Sequence, residues 1–157
     1  MKLLMDADCL IKLTKAGLKE TVCRNDTVFI PSIVVSEVVD AGKIKGCADA
    51  FAVEKNISLK LISIIPDEVV VYETGDRAVS DLFQSQKYDA VATDDAKLIR
   101  KLKSLGIPFL LPGLILYLLH EQGKMDKVTL LWALDQLAPF ISDDEYSTVR
   151  LLMEAIK

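Results

Sequence analysis

The residues of this chain that could do chemistry are acidic side chains placed at the ends of short apolar segments. Asp6 and Asp8 follow the apolar run 3–5, and Asp94 and Asp95 follow a second run that ends at residue 92. Carboxylates that share one cleft repel each other, so they persist only with a compensating cation. An all-oxygen set without His or Cys suits Mg²⁺ or Mn²⁺. Such ions activate water and neutralise phosphate charge, so the pattern indicates phosphodiester cleavage.

Two further acids, Glu37 and Asp76, lie on predicted helices. Glu37 borders the polar stripe of a helix predicted over 32–41, and Asp76 begins a helix that precedes a predicted strand. Each acid also has a structural interpretation, since Asp is a favoured helix N-cap and Glu is mostly exposed. Asp8 is expected to be an N-cap about as readily as a ligand. Asp6 lies too far ahead of the predicted helix to be its N-cap, so it is stronger evidence for a functional site than Asp8.

Short apolar runs alternate with helical patterns through the first two thirds of the chain. The predicted strands are 3–5, 27–30, 59–65, 88–92 and 107–111. Right-handed crossovers place a helix between successive parallel strands, so the alternation predicts an α/β fold with a doubly wound parallel sheet. If strands one and four are central neighbours, Asp6 and the pair Asp94 and Asp95 meet at the carboxyl edge, where such sheets bind ligands.

After residue 111 the strand pattern stops and three helical segments follow. They are predicted over 113–122, 127–137 and 143–156. A chain of 157 residues is one domain's worth. We therefore expect a single domain over 1–157, with an α/β core over 1–111 and a helical C-terminal extension over 112–157.

The composition excludes several classes of protein. A hydrophobic content of 51% argues against long disordered stretches. The most apolar segment, 109–119, is shorter than the ~20 residues that cross a bilayer, so no membrane span is expected. Three cysteines without metal-type spacing and a start without a secretory segment predict a cytoplasmic protein. The net charge of −4 argues against a protein that binds nucleic acid only by neutralising its phosphates with basic residues. It is compatible with a nucleic-acid enzyme whose acidic site binds a metal ion, because the ion supplies the local positive charge.

The order of the acidic motifs resembles that of the PIN domain family of metal-dependent ribonucleases. The matching segments are Met5-Asp6-Ala7-Asp8 for its Asp-x-Asn/Ser, Ser36-Glu37 for its Ser-Glu, Gly75-Asp76 for the acid before strand four, and Thr93-Asp94-Asp95 for its Thr-x-Asp. The likeness runs from residue 3 to about residue 111, and the tail resembles a prokaryotic variant. Two residues depart from the pattern: Asp8 replaces a neutral residue, and Leu98 replaces a frequent Phe.

The resemblance implies a PIN-like sheet of order 3-2-1-4-5 flanked by helices. It implies an endoribonuclease that cleaves RNA by in-line attack of a metal-activated water. Its Mg²⁺ or Mn²⁺ ligands would be Asp6, Glu37, Asp76 and Asp95, with Asp94 and Asp8 as further candidates. It also implies a toxin role with an antitoxin partner, and a homodimer is the other protein assembly to consider.

Two other functions compete with this interpretation. The first is a haloacid-dehalogenase-type phosphatase, whose acidic motifs are similar to Asp6-x-Asp8 and to Asp76 followed by Asp81. The nucleophile motif of those enzymes continues with Gly-Thr, whereas this chain has Cys9-Leu10. The second alternative is a PIN fold that binds RNA or a protein without cutting. The complete acidic set argues against it, because a scaffold has no need of mutually repelling carboxylates.

A basic stripe follows the last acidic motif. It consists of Lys97, Arg100, Lys101 and Lys103 on one face of a predicted helix. Such a stripe is most often a solvated face. Because an acidic site cannot itself attract phosphate, we predict that one or more of these residues contributes to RNA engagement.

Overall fold

The computed structural model of the chain describes residues 1–65, 75–85 and 88–155, without the side chains of Asp76 and Ser85. Its strands are β1 (Lys2–Met5), β2 (Thr27–Pro31), β3 (Ile62–Ile65), β4 (Ala90–Ala92) and β5 (Phe109–Leu110). They form one parallel sheet in the order β3-β2-β1-β4-β5. The predicted α/β class and the strand order 3-2-1-4-5 are confirmed.

Helices connect the strands and form the C-terminal part of the chain. They are α1 (Ala7–Lys15), α2 (Lys19–Asn25), α3 (Ser32–Val35), α4 (Ala41–Ile44), α5 (Ala48–Ser58), α6 (Gly75–Ser85), α7 (Ala96–Ser104), α8 (Pro112–Glu121), α9 (Lys127–Leu137) and α10 (Asp143–Ala155). A π-helical turn, Ser36–Asp40, joins α3 to α4, and a 3₁₀ turn, Ala138–Phe140, follows α9. Within the described residues, no helix has the length and apolar character needed to cross a membrane.

Three strands are shorter than the sequence pattern predicts. The strand predicted over 59–65 begins only at Ile62, because α5 extends to Ser58 and the chain then turns through Lys60 with a φ of 58°. The strand predicted over 88–92 begins only at Ala90. The strand predicted over 107–111 is reduced to β5. Ile107 nevertheless remains buried. Apolar residues beside a strand can therefore fill the core without joining the hydrogen-bonded ladder.

The central strands bring the candidate acids to one edge of the sheet. Met5 is paired with Ala92 in the parallel register of β1 and β4. The backbone N–H of Asp6 extends this ladder by donating to the carbonyl of Ala92 at 3.1 Å. The residues that follow the two strands, Asp6 and Thr93, therefore lie side by side at the carboxyl edge.

Strand β1 is buried on both faces, as its continuous apolar run predicts. Leu3 and Met5 point into the larger core, and Leu4 points into a smaller core on the opposite face. The larger core also contains buried residues of α8, α9 and α10, namely Ile115, Leu116, Leu119, Leu130, Leu134, Leu137, Val149 and Met153. The C-terminal helices therefore belong to the same core as the central strand.

A buried carboxylate ties the start of the chain to the C-terminal helices. The side chain of Asp26 is 2% exposed and accepts from the amino group of Met1 at 2.7 Å and from Lys124 Nζ at 3.0 Å. Removing the charge of Asp26 leaves two partly buried cations without their partner.

We expect Asp26→Asn to lower the free energy of unfolding by about 2 kcal/mol, less than for a fully buried pair because both cations are partly exposed. Urea or thermal unfolding measures this change. The control is Asp81→Asn, which removes an exposed pair with Arg77 at 3.8 Å and should cost less than about 0.5 kcal/mol. Equal stability of the two variants would contradict the anchoring role.

Candidate active site at the carboxyl edge of the sheet

Asp6 is the single residue between β1 and α1. It is the N-cap of α1: its backbone is extended and its Oδ1 accepts from the N–H of Cys9 at 2.8 Å. Its Oδ2 accepts from the hydroxyl of Thr93. The expectation that Asp6 lies too early for a cap, and that Asp8 is the candidate for that place, is wrong. The strand leads into the helix without a linker, so Asp8 falls in the first turn of α1, where it is exposed.

The environment of Asp6 disfavours its negative charge. The residue is 4% exposed. Burial raises the pKa of Asp6 to about 7. The hydrogen bonds from Thr93 and Cys9 oppose this rise in pKa, and the charges of Asp8 and Asp94 add to it. A carboxylate in such a place gains from a bound proton or a bound cation.

Asp94 is the acid that lies beside Asp6 and faces an open cleft. Its side chain is 9% exposed, and its Oδ2 accepts from the ammonium of Lys12 on α1. Its Oδ1 is buried and has no hydrogen-bond partner in the part of the chain that the structure describes. Buried polar atoms are nearly always paired, so this oxygen is a candidate ligand position.

The cleft has a volume of about 670 Å³ and carries both signs of charge. Asp94 and Glu145 supply carboxylates, and Lys12 and Arg100 supply cations. Apolar residues complete the walls, among them Ile99, Leu111, Phe140 and Ile141. Helices α1, α7 and α10 therefore all contribute to the space in front of Asp94.

Glu145 is a residue of this cleft that the sequence interpretation missed. It is 5% exposed, and its Oε1 accepts from the N–H of Gly113 at 2.7 Å. Burial raises the pKa of Glu145; the hydrogen bond from Gly113 opposes the rise, and the charge of Asp94 adds to it. A signal was present in the sequence: Glu145 shares the i, i+4, i+8 stripe of Val149 and Met153, which are both buried.

Asp95 has a different role from its neighbour. It is the N-cap of α7, and its Oδ1 accepts from the N–H of Leu98 at 2.6 Å. Its own N–H donates to the hydroxyl oxygen of Thr93 at 3.1 Å. Thr93 therefore connects Asp95 to Asp6, while the carboxylate that lines the cleft belongs to Asp94.

Glu37 and the start of α6 are in direct contact. Glu37 is exposed on the π-helical turn, and its Oε1 accepts from the N–H of Gly75 at 3.1 Å. A Cβ atom at Gly75 would lie 2.8 Å from Glu37 Oε2, so a larger residue there would displace the carboxylate of Glu37 from this contact. The backbone of Asp76 lies in the first turn of α6 as predicted, and its side chain is outside the described part.

The donor chemistry of the edge fits a hard divalent cation. Asp6 and Asp94 present neighbouring carboxylates, and within the described residues one buried oxygen of Asp94 lacks a partner. Carboxylate oxygens are the ligands that such an ion prefers. In the described ranges, no group of three or more His, Cys, Asp or Glu side chains comes together so that it could hold an ion. Asp6 and Asp94 are therefore the two acids that these contacts favour.

The residues of the basic stripe separate into different environments. Arg100 lines the cleft, whereas Lys101 Nζ donates to Ser80 Oγ at 2.6 Å. The ammonium of Lys103 lies 5.7 Å from the ring centroid of Phe109. Arg100 is thus the member of the stripe that the fold places beside Asp94, and its contribution to RNA engagement stays a prediction.

Comparison with known proteins agrees with this architecture. A family model described as a PIN domain matches residues 2–155. No curated protein and no solved structure matches the chain. PIN domains are typically nucleases that bind nucleic acid and generally use divalent metals, so the fold is of nuclease type. The match covers the sheet, the acidic edge and the C-terminal helices, and the chain therefore belongs to the PIN domain family.

Proposed function

We propose that this protein is an endoribonuclease that depends on Mg²⁺ or Mn²⁺ and whose active site is the edge where β1 and β4 end. The observation that carries the proposal is the carboxylate of Asp94, which is 9% exposed and lies near Asp6 and along the cleft; one of its oxygens has no partner among the described residues. Family membership supports the hydrolase class.

In this proposal Asp6 and Asp94 hold the divalent ion. When bound, the ion supplies charge neutralisation at the attacked phosphodiester and lowers the pKa of a water molecule. The chain's own contribution is positioning: the N–H of Cys9 and the hydroxyl of Thr93 fix both oxygens of Asp6. Arg100 lines the cleft with a positive charge that suits the RNA backbone.

The family resemblance supplies the remaining assignments of the proposal. It implies Glu37 and Asp76 as further ligands. It also implies Asp95, although the contacts of Asp95 in this structure are those of a helix cap. Asp8 stands where the family has a neutral residue and is a further candidate acid beside Asp6. The resemblance also supports a toxin role restrained by an antitoxin. A homodimer is the other assembly to consider, and the cysteine content favours a cytoplasmic location.

Cleavage of a mixed RNA pool by the wild type with Mn²⁺, with Mg²⁺ and with EDTA tests the proposal. We expect cleavage only with metal. Asp6→Asn should reduce the rate on the order of a thousandfold, because metal charge stabilisation contributes several kcal/mol and each 1.4 kcal/mol is a factor of ten. Asp81→Asn is the control, because Asp81 is exposed and pairs with Arg77.

The same assay separates the competing functions. Turnover of a generic phosphomonoester that Asp81→Asn abolishes would favour the haloacid-dehalogenase-type phosphatase. RNA that is bound but remains intact with either metal would identify a PIN fold that binds without cutting.

A further inference from the structure

Lys12 is a charged residue of the cleft that the proposed mechanism does not use. It lies on α1, and its ammonium donates to Oδ2 of Asp94. A lysine ammonium is charged at neutral pH. The side chain of Lys12 remains 30% exposed and lines the cleft.

A divalent ion at Asp94 would change the surroundings of this ammonium. The ion would share the charge that now attracts Lys12 and would itself repel a second cation at close range. Glu145 on α10 lines the same cleft, and its negative charge favours an ammonium there. A phosphodiester that enters the cleft offers the negative charge that Lys12 has lost.

We propose that Lys12 is a substrate-binding residue whose ammonium, paired with Asp94 in the ion-free protein, binds a phosphate of the RNA when Asp94 binds the divalent ion. This inference rests on the proposed function, because it takes RNA as the substrate and Asp94 as a ligand. Under this inference two cations of the cleft bind the RNA: Lys12 on α1 and Arg100 on α7.

The test is RNA binding with the full chain, measured by fluorescence anisotropy of a labelled single-stranded RNA in Ca²⁺ over a series of KCl concentrations. Gel analysis verifies that the RNA stays intact. We expect Lys12→Met to weaken binding about tenfold, the effect of losing one charged contact. The slope of log Kd against log salt should fall by about 0.7, which corresponds to one phosphate on a single strand.

Two variants make the measurement specific. Lys12→Arg keeps the positive charge and should retain the salt slope. Lys15→Met removes an exposed lysine of the same helix that does not line the cleft, and it should leave both affinity and slope unchanged. Lys12→Gln is a second variant without the charge, and a melting curve of each variant shows whether it is folded. If Lys12→Met is misfolded, Lys12→Gln gives the result.

Unchanged affinity and slope in Lys12→Met and Lys12→Gln, together with tighter Mn²⁺ binding in thermal melts, would overturn the inference. Lys12 would then be only a counter-ion of Asp94. If the wild type binds RNA through Lys12 but does not cleave it, the proposed function fails while the inference on Lys12 stands. If the wild type cleaves RNA and Lys12→Met cleaves with the same KM, the inference alone fails.

Discussion

In EDTA near pH 8, Asp6→Asn should unfold at a higher temperature than the wild type. Burial raises the pKa of Asp6 from 3.8 to about 7, so its ionised form destabilises the folded state. By linkage, the wild type loses stability as the pH rises from about 4 to about 7. The full loss is on the order of 4 kcal/mol, or about 10 °C in melting temperature. Asn is as good an N-cap as Asp and carries no charge, so the stability of the variant should not fall over this pH range.

The control for this result is Asp126→Asn. Asp126 caps α9 through the N–H of Thr129 at 2.7 Å, much as Asp6 caps α1, but it is exposed. The hydrogen bonds from Thr129 lower the pKa of Asp126, so its contribution is present at neutral pH and is lost as the pH falls through the lowered value. Asp126→Asn should therefore gain nothing near pH 8. If Asp6→Asn behaves in the same way, Asp6 is only a cap and the metal assignment is wrong.

Metal should offset more than half of this difference in stability between the wild type and Asp6→Asn. Mn²⁺ at a hundredfold excess over its Kd should stabilise the wild type by about 2.7 kcal/mol, because a ligand that binds only the folded state shifts the unfolding equilibrium. Asp6→Asn should respond much less. Thermal melts with EDTA and with Mn²⁺ at one pH measure both effects in the same samples.

Asp94→Asn should abolish RNA cleavage, while Asp95→Asn should leave most of it. Asp94 lines the cleft with a carboxylate oxygen that has no partner in the described chain, and losing a metal ligand costs on the order of a thousandfold in rate. Asp95 instead caps α7 through the N–H of Leu98. Asn can make the same cap, so we expect a loss below about tenfold.

Single-turnover cleavage in Mn²⁺ measures the two rates, and melting curves show whether each variant is folded. A thousandfold loss in Asp95→Asn with a normal rate in Asp94→Asn would return the ligand role to Asp95, as the Thr-x-Asp motif implies. The comparison needs no knowledge of the natural RNA target, because both variants cleave the same probe.

The sheet could be predicted from the sequence because its signals are local. Short runs of consecutive apolar residues, such as the one that forms β1, can be distinguished from the helical segments, in which apolar residues recur every three or four positions. Because the crossovers between parallel strands are right-handed, only a few strand orders then remain. The cap at Asp6 could not be recognised in this way. The apolar run shows that the strand ends at Met5, but it does not show that helix α1 begins after a single residue.

The cleft was less predictable because its contacts are distant in sequence. Lys12 and Asp94 are separated by 82 positions, and Gly113 and Glu145 by 32. Motif reasoning looks for acids that follow strands, so it proposed Asp6, Asp94 and Asp95 and gave no role to Lys12. Glu145 was overlooked because an acid near the start of a predicted helix is usually solvated or near the helix dipole.

The shared core of the central strand and helices α8, α9 and α10 has a consequence for synthesis on the ribosome. Leu3 and Met5 belong to the same core as Val149 and Met153, more than 140 positions later in the sequence. Domains generally fold as units while the chain emerges. The α/β part therefore lacks part of its core until α10 has emerged from the exit tunnel, and the cleft gains Glu145 at the same time.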